Sequence, residues 1–494
     1  MKIGFDCDTY IKLQAENITK RINQFDNKLY LEFGGKLFDD YHASRVIPGF
    51  QADSKIRILQ KMADKTEIVI CINSEDIEKN KIRADFGVTY DMDVLRLIDN
   101  IRALGLYVGS IVIGMFANQP NATIFKNKLE MRGERVYLHK KIPGYPMNVD
   151  LAVSDEGYGA NEYIETTRPL VVVTAPGPGS GKLAACLSQL YHEHKRSVRA
   201  GYAKFETFPV WNLPLKHPVN LAYEAATADL NDVNMIDPFH LEAYGKTAVN
   251  YNRDIEVFPI VKMILSRVMD DVSPYKSPTD MGVNMLGYCI TDDDCVREAS
   301  NQEIIRRYYK IKCAHVQGNL SEEPVQKIEL VVSQMNLSLD IRKPVKPAIE
   351  KAESSGSPSV ALELTDGKIV AGRTTSLMNA SASVLVNAVK TLAGIRDSLH
   401  LLSPVVLEPI QKLKSTIFEN SRPILGPEEV LIALSICAAT NPTIELAMSQ
   451  LKQLRNCEAH SSHILPLSDE AVYRRLGINL TCEPQFPSKN LFQM

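Results

Sequence analysis

The chain has 494 residues, of which 45% are hydrophobic and 23% are charged, and its formal net charge is −3. This length exceeds the roughly 100–200 residues of one domain and predicts a multi-domain globular protein, while the charge gives no attraction to nucleic acid. No apolar run approaches the ~20 residues that span a bilayer and the N-terminus, MKIGFDCDTY, is acidic, so we expect a cytoplasmic protein without membrane partners.

The first region, residues 1–167, alternates strand-like and helix-like patterns. Apolar runs predict strands at Ile68–Ile72 and Tyr107–Phe116, and a helical pattern covers Met92–Leu104 between them. A shorter strand is predicted at Val136–His139. Such alternation is typical of an α/β layer with parallel strand pairing.

A glycine pair follows the strand-like segment LYLEF in the same region. Glycines at this place let a ligand approach the backbone closely, and polar residues follow within a few helical turns. A second site, or one wall of a shared cleft, is one interpretation; a plain turn is the other. The candidate residues are Gly34, Gly35, Lys36, His42 and Arg45.

The second region, residues 168–340, opens with the string LVVVTAPGPGSGKL. Leu170–Thr174 predicts a buried strand, and the apolar spacing over Leu183–Tyr191 predicts a helix. A strand, a glycine-rich loop, a lysine and a helix form the layout that binds phosphate, because backbone N–H groups and the helix N-terminus converge on the anion. The predicted phosphate-binding residues are Gly177, Gly179, Ser180, Gly181 and Lys182.

The loop departs from the P-loop signature G-x-x-x-x-G-K-[ST] at two positions. Pro176 stands where the first glycine belongs, and Leu183 replaces the hydroxyl residue that ligates Mg²⁺. Ser180, a carboxylate elsewhere, or phosphate and water alone would have to hold a metal. The alternative interpretation is a glycine-rich turn next to an incidental lysine.

Polar side chains are dense in the segment that follows, from Val198 to Asp254. Tyr202–Phe205 predicts a second strand, and ligands of open α/β sheets bind beyond the carboxyl ends of strands. The candidate catalytic residues are Lys204, Asp237, His240 and Arg253. The candidate substrate-binding residues are Glu206, Asn212, His217, Asn220, Asn250, Asn252, Lys276 and Asp280.

Two of these candidates have structural alternatives. Asp237 follows an apolar pair and could hold Mg²⁺ at a strand end, but it also precedes Pro238 and fits a helix N-cap. His240 has the side chain for proton transfer near neutral pH, although a lone histidine is more often structural.

The last part of the chain is predicted as a smaller domain. A connector rich in Pro, Lys and Ser over residues 341–358 reads as an exposed linker, and an α/β domain follows at 359–482 with a tail at 483–494. None of the nine cysteines forms a C-x-x-C pair. We therefore expect neither a disulfide framework nor a structural zinc site.

About forty residues resemble the dethiobiotin-synthetase-like branch of P-loop proteins. The likeness covers the strand ending in Thr174, the glycine loop, Lys182, the helix and the strand RAGYAKFET. Enzymes of that branch use ATP to activate a carboxylate or carbamate. The resemblance implies that Lys182 holds phosphates and that Lys204 faces the substrate.

Two other resemblances concern the whole chain and its last region. The strings LEFGGKLFDDYHASRVIPGF, GPGSGKL, KFETFPVWNLPLKHPVNLAYEAATADL and YKSPTDMGVN are similar to a bacterial family of roughly 500-residue proteins without an assigned function, which implies a cytoplasmic bacterial protein. VALELTDGKIVAGRTTSLMNASASVLVNAVKTLAGI is similar to the opening of cytidine-deaminase-like folds. Ala380-Ser381-Ala382 stands where the zinc motif belongs, so that likeness implies a fold only.

These observations predict an α/β, multi-domain protein. A central domain with a P-loop-like parallel sheet is flanked by an N-terminal α/β region and a smaller C-terminal α/β domain. The first functional hypothesis is an ATP-dependent ligase or kinase of a small anionic metabolite, with ATP and Mg²⁺ as cofactors. The alternatives are a non-hydrolysing protein that binds a nucleotide or phosphometabolite, and an enzyme that binds a phosphosugar or cofactor phosphate without ATP. The expected partner is a small-molecule substrate or nucleotide, and homo-oligomer formation is left open.

Overall fold

The computed structural model describes residues 2–35, 37–38, 40–83, 87–270, 273–419 and 423–487. These residues fall into two compact units, Met1–Ser300 and Asn301–Met494. The predicted α/β class is confirmed, with a parallel sheet in the first unit and a separate, mixed sheet in the second.

The first unit contains ten described strands and the first thirteen described helices, of which the last continues into the second unit. The strands are β1 Leu29–Phe33, β2 Thr66–Asn73, β3 Ile82–Arg83, β4 Val88–Thr89, β5 Tyr107–Gly114, β6 Val136–Leu138, β7 Leu170–Thr174, β8 Gly201–Phe205, β9 Asn234–Ile236 and β10 Val249–Tyr251. The helices are α1 Cys7–Asn23, α2 Tyr41–Val46, α3 Ser54–Lys61, α4 Ser74–Glu78, α5 Tyr90–Ala103, α6 Pro120–Met131, α7 Val149–Ala152, α8 Lys182–Lys195, α9 Pro218–Ala226, α10 Pro238–Tyr244, α11 Asn252–Val268, α12 Pro278–Met281 and α13 Asp293–Val316.

The main sheet of this unit has the strand order β6-β5-β2-β7-β1-β8, and every pairing in it is parallel. Strands β1 and β7 are buried at all five of their positions. Continuous apolar strands of this kind are typical of a parallel sheet that is covered on both faces. The short strands β9 and β10 form a separate antiparallel pair.

Strand β7 lies between β1 and β2, so the sheet draws strands from both the first and the second predicted regions. In register, Leu29 of β1 is paired with Leu170 of β7 on one side and with Gly201 of β8 on the other. Because residues 1–167 and 168–340 contribute to the same hydrogen-bonded layer, they do not form two separate sheets.

The direction in which the chain leaves each strand identifies a crevice in this sheet. The chain leaves β2 towards β5 on one side, and it leaves the neighbouring β7 towards β8 on the other side. Adjacent parallel strands with diverging connections open a crevice beyond their carboxyl ends, where ligands of such sheets bind. The glycine loop follows β7 at this crevice, and the glycine pair follows β1, the next strand in the sheet.

The second unit has its own apolar core around a four-stranded sheet of order β12-β11-β13-β14. Its strands are β11 Ser359–Glu363, β12 Ile369–Arg373, β13 Glu458–Ser461 and β14 Asn479–Cys482. Its further helices are α14 Glu322–Gln334, α15 Val345–Ser355, α16 Ala380–Leu392, α17 Pro404–Thr416, α18 Pro427–Ala438, α19 Pro442–Ser449 and α20 Leu467–Leu476.

Two expectations for the C-terminal part can be compared with this unit. The predicted succession of strand, Asp-Gly turn, strand and helix is confirmed by β11, β12 and α16. The segment expected as a linker at 341–358 instead holds the helix α15, whose Val345 and Ala348 are buried. Of the predicted tail, residues 488–494 lie outside the described part of the chain. In the described ranges, none of the helices combines the length and the apolar content that a bilayer crossing requires.

Candidate functional site

A cavity of about 710 Å³ opens beyond the carboxyl ends of β7, β1 and β8. The β7–α8 loop, the glycine pair after β1 and the end of β8 all contribute to its lining. Aromatic side chains, among them Tyr90, Phe208, Trp211 and Tyr223, form parts of its walls. The cavity has the size and the mixed apolar and polar lining that are typical of small-molecule sites.

The β7–α8 loop depends on glycine at several positions. Gly179 and Gly181 have φ values of 76° and 82°, a backbone conformation that other residues rarely adopt. A Cβ atom on Gly177 would lie 2.3 Å from the Tyr90 hydroxyl oxygen, so helix α5 packs directly against the loop. The buried Ser180 hydroxyl donates a hydrogen bond to the Gly177 carbonyl over 2.9 Å, which ties the loop to itself.

The loop leaves donors available beside the cavity. Among the described residues, no backbone or side-chain acceptor receives a hydrogen bond from the N–H groups of residues 179–184. The partly buried Lys182, which lines the cavity, likewise has no hydrogen bond or ion pair within the described ranges. N–H groups at a helix start together with a lysine form an arrangement that can bind an anion.

Two arginines also line the cavity. Arg83 and Arg96 each donate to the carboxylate of the buried Asp93, over 2.6 Å and 2.7 Å respectively. Asp93 thus helps to hold both guanidinium groups at the cavity. Guanidinium groups pair well with phosphate oxygens.

The end of β8 carries a different group of charges. The Lys204 amine lies 2.7 Å from an Asp254 carboxylate oxygen at the start of α11 and 3.1 Å from Glu206 Oε1. Glu32, on the neighbouring strand β1, accepts a hydrogen bond of 2.8 Å from the Tyr202 hydroxyl. All five of these residues line the cavity.

Burial and neighbouring charges shift the protonation of this group. Burial raises the pKa of Glu206 to about 7. The negative charges of Asp254 and Glu32 also raise it, whereas the positive charge of Lys204 lowers it. Burial opposes the charged form of Lys204, but Glu206, Asp254 and Glu32 together raise its pKa above the usual value. Lys204 therefore stays protonated, whereas Glu206 can exchange a proton near neutral pH.

Gly34 provides the space in which the Glu206 side chain lies. A Cβ atom on Gly34 would be 2.2 Å from Glu206 Cγ and 2.4 Å from its Oε1. The Gly34 carbonyl accepts a hydrogen bond of 3.3 Å from the buried Lys55, whose amine also pairs with Asp40. The glycine pair that was predicted as a second site or a shared wall thus lines the same cavity as the β7–α8 loop.

Other residues of the glycine-pair motif lie elsewhere. His42 packs edge-on against the rings of Phe208 and Tyr223, at centroid distances of 5.3 Å and 5.8 Å. His42 and Arg45 do not line the cavity. Lys36 lies outside the described residues.

Asp237 takes the structural alternative that the sequence left open. It directly follows β9 and is the N-cap of α10, where its carboxylate accepts a hydrogen bond from the His240 N–H over 3.1 Å. The second carboxylate oxygen accepts the Thr279 hydroxyl over 2.6 Å. His240 Nδ1 lies 3.1 Å from the Ser277 hydroxyl. Neither Asp237 nor His240 lines the cavity.

The remaining candidates divide between the cavity and supporting roles. Arg253 and Asn250 line the cavity, and Arg253 pairs with Asp232 at 3.4 Å. His217 is the buried N-cap of α9, and its Nε2 lies 2.9 Å from an Asp293 carboxylate oxygen. The Asn220 side-chain oxygen accepts a hydrogen bond from the Val210 N–H. The candidates that lie away from the cavity lining are Ser180, Gly181, Asn212, His217, Asn220, Asn252, Lys276 and Asp280.

Five charged residues of the cavity were missed by sequence analysis. They are Glu32, Arg83, Arg96, Asp232 and Asp254. A glutamate inside the apolar string LYLEF and just before a glycine pair is a signal that could have been used for Glu32. The two arginines stand in ordinary helix and turn sequences, and nothing in their spacing indicates a ligand.

The residues present do not supply the Mg²⁺ ligands that a P-loop nucleotide enzyme needs. Leu183 occupies the hydroxyl position, Ser180 donates to a backbone carbonyl, and Asp237 is engaged as a helix cap. Within the described ranges, no group of three or more His, Cys, Asp or Glu side chains is placed to hold a metal ion.

Comparison with known proteins gives a consistent assignment over the whole length. The model of the N-terminal domain of unknown function DUF1846 matches residues 3–336, and that of its C-terminal domain matches residues 340–492. UPF0371 proteins of Clostridium tetani and of Clostridium botulinum strain Eklund 17B are each 56% identical over 500 residues, which cover 100% of this chain and 99% of each relative. The likenesses to dethiobiotin-synthetase-like and deaminase-like proteins stay predictions.

Proposed function

The chain belongs to the bacterial DUF1846 family, and we propose that its first unit is an enzyme that binds the phosphate group of a small molecule. The proposal rests on one cavity that is lined both by a glycine loop with a lysine and by Glu206, whose pKa burial raises to about 7. Binding alone would not need the second feature, because a group that exchanges protons at neutral pH is typical of catalytic sites.

In this proposal the β7–α8 loop holds the phosphate. The N–H groups of Gly179, Lys182 and Leu183, which all line the cavity, donate to its oxygens, and Lys182 supplies a positive charge from the first turn of α8. Arg83 and Arg96 line the same cavity and are further guanidinium donors of the kind that pairs with phosphate oxygens. The same atoms would receive any phosphomonoester or polyphosphate that fits the cavity.

Glu206 accepts or donates the proton in the reaction. Its carboxylate lies 3.1 Å from the Lys204 amine, which is itself held by Asp254. Because Lys204 stays charged, it fixes the position of Glu206 and can stabilise negative charge that develops on the substrate.

A kinase or ligase that uses ATP is the second candidate. The order of strand, glycine loop, lysine and helix over residues 170–195 favours it. Leu183 at the metal-ligand position weighs against it. A protein that binds a nucleotide or phosphometabolite without turnover is the remaining alternative, and it would need no proton-transfer group.

The test is isothermal titration of the full-length protein with inorganic phosphate, glucose 6-phosphate and ATP, the last with and without Mg²⁺. We expect phosphorylated compounds to bind and Lys182→Ala to weaken their affinity by about tenfold or more, since a charged hydrogen-bond donor is lost. Lys195→Ala is the matched control, because Lys195 lies at the exposed far end of the same helix.

The outcomes separate the candidates. Binding of ATP only, and only with Mg²⁺, would support the ligase or kinase and contradict the first proposal. Equal affinities of Lys182→Ala and the unsubstituted protein for every phosphate compound would show that the loop is a structural turn. The absence of binding across the whole series would contradict both candidates.

A further inference from the structure

The register of the sheet fixes how far apart the two chemical parts of the cavity lie. Glu32 of β1 is paired with Val173 of β7 on one side and with Lys204 of β8 on the other. Neighbouring strands lie about 4.8 Å apart, so the ends of β7 and β8 are separated by about 10 Å across β1. The anion-binding loop follows β7, and Lys204 and Glu206 stand at the end of β8.

The space between these two parts is not closed by side chains of β1. The strand ends at Phe33, and the next two residues, Gly34 and Gly35, both line the cavity. Glu206 lies over Gly34, in the space that a Cβ atom there would occupy. A ligand can therefore extend from the loop along the end of β1 to Glu206.

The two parts also differ in the groups that they offer. The loop side presents N–H donors and the amine of Lys182. The β8 side presents the carboxylates of Glu206 and Asp254 around Lys204, together with the amide of Asn250. Carboxylates accept hydrogen bonds, so this side fits a ligand that carries several hydroxyl or ammonium donors.

We infer that the ligand is a phosphomonoester of a polyol or amino-polyol, whose phosphate stays bound at the β7–α8 loop while its other end lies at Glu206. This inference rests on the proposed function and narrows its substrate class. With C–C bonds of about 1.5 Å, a ligand of about five or six carbons spans the distance between the strands. The phosphate is then an anchor and is not the reacting group.

The anchor role follows from where the proton-transfer group is held. Glu206 is fixed by its ion pair with Lys204, which belongs to β8 and is held in turn by Asp254 of α11. No titratable side chain other than Lys182 stands within the loop, residues 175–182. The proton-transfer group therefore lies about two strand spacings, about 10 Å, from the loop that holds the phosphate.

The inference is tested by titrating the full-length protein with a graded series of probes. The series is inorganic phosphate, glycerol 3-phosphate, glucose 6-phosphate, glucosamine 6-phosphate and unphosphorylated glucose. We expect affinity to rise by about tenfold or more from inorganic phosphate to the hexose phosphates, because only these reach the β8 side. Glucose alone is expected to bind at least about tenfold more weakly than glucose 6-phosphate.

Variants assign each part of the ligand to its side of the cavity. Glu206→Gln and Asn250→Ala are expected to weaken hexose phosphate binding several-fold and to leave the affinity for inorganic phosphate within about twofold. Asp254→Asn is a third probe, and its matched control is Glu256→Gln, an exposed residue on the same helix. The three probes stand on different elements, so a folding defect in one does not remove the test.

Each result decides between defined alternatives. Hexose phosphates that bind no more tightly than inorganic phosphate, while Lys182→Ala still weakens both, would overturn this inference and leave the proposed function standing. Loss of inorganic phosphate binding in Glu206→Gln would also overturn the inference, because it would place Glu206 at the phosphate. Failure of every phosphorylated probe, or indifference to Lys182→Ala, would overturn the proposed function as well.

Discussion

The raised pKa of Glu206 has a consequence for the stability of the folded protein. Its value is about 7 in the folded state, against an ordinary value of 4.5. Between these two pH values the folded chain binds more protons than the unfolded chain at this residue. The contribution of Glu206 to the free energy of unfolding is therefore largest in acid and declines as the pH rises from about 4.5 through 7.

Glu206→Gln should remove this pH dependence, because glutamine does not titrate and keeps the shape of the side chain. We expect the melting temperature of the variant, relative to the unsubstituted protein, to rise steadily from pH 5 to pH 8. Thermal unfolding followed by circular dichroism measures the difference, with the exposed Glu242→Gln as the control. A difference that is constant over this range would contradict a raised pKa at Glu206.

At the scale of single residues, sequence reasoning found part of the cavity. It identified Lys204 and Glu206 because they stand near the carboxyl end of a predicted strand, and this position can be read without knowing which strands pair with it. It passed over Asp254, which acts through a contact with Lys204 fifty residues earlier in the chain. Such a contact depends on where α11 lies relative to β8, and the residue spacing around Asp254 does not indicate it.

Among the elements of the site, the end of β1 is the most sensitive to a small change. Gly34→Ala places a methyl group where Glu206 lies, without a positive φ to add backbone strain. We expect the side chain of Glu206 to be displaced from Lys204, so that ligand binding falls to the level of Glu206→Gln.

A double-variant cycle checks this interpretation. In a Glu206→Ala background the clash is absent, and Gly34→Ala should then change ligand affinity little. The effects of the two substitutions on the binding free energy are therefore expected to be clearly non-additive. The control is Gly114→Ala at the end of β5, where the nearest atom to a new Cβ is 3.8 Å away. Additive effects of the two substitutions would contradict direct contact between Gly34 and Glu206.

Most elements of the sheet could be predicted from the sequence, whereas their partners could not. The strands at Ile68–Ile72 and Leu170–Thr174 and the helix after the glycine loop are confirmed. A strand that is buried on both faces consists of consecutive apolar residues, and such a run can be recognised in the sequence. The insertion of β7 between β1 and β2 is a long-range pairing that no local pattern records. Proline and serine content suggested a linker at 341–358, but buried Val345 and Ala348 stabilise a helix there.

For the whole molecule, the location of the site in one unit makes a prediction about local stability. A ligand that binds only the folded state stabilises it by about 2.7 kcal/mol at a hundredfold excess over its Kd. Hydrogen exchange in saturating glucose 6-phosphate should therefore slow at the loop after β7 and at β8. Amides of β11 and β13 in the second unit serve as the internal reference. Slower exchange confined to that reference would place the ligand outside the cavity described above.

The position of β1 in the sheet also determines when this protein can fold during its synthesis. Leu29 needs Leu170 on one edge and Gly201 on the other before its strand is fully hydrogen-bonded. More than 170 further residues must therefore be synthesised before both edges of this apolar strand can be paired. Until then its backbone hydrogen-bonding groups are exposed, which makes the nascent chain prone to aggregation. Such distant pairings slow folding, so stalled or truncated products that end before β8 should depend on chaperones to stay in solution.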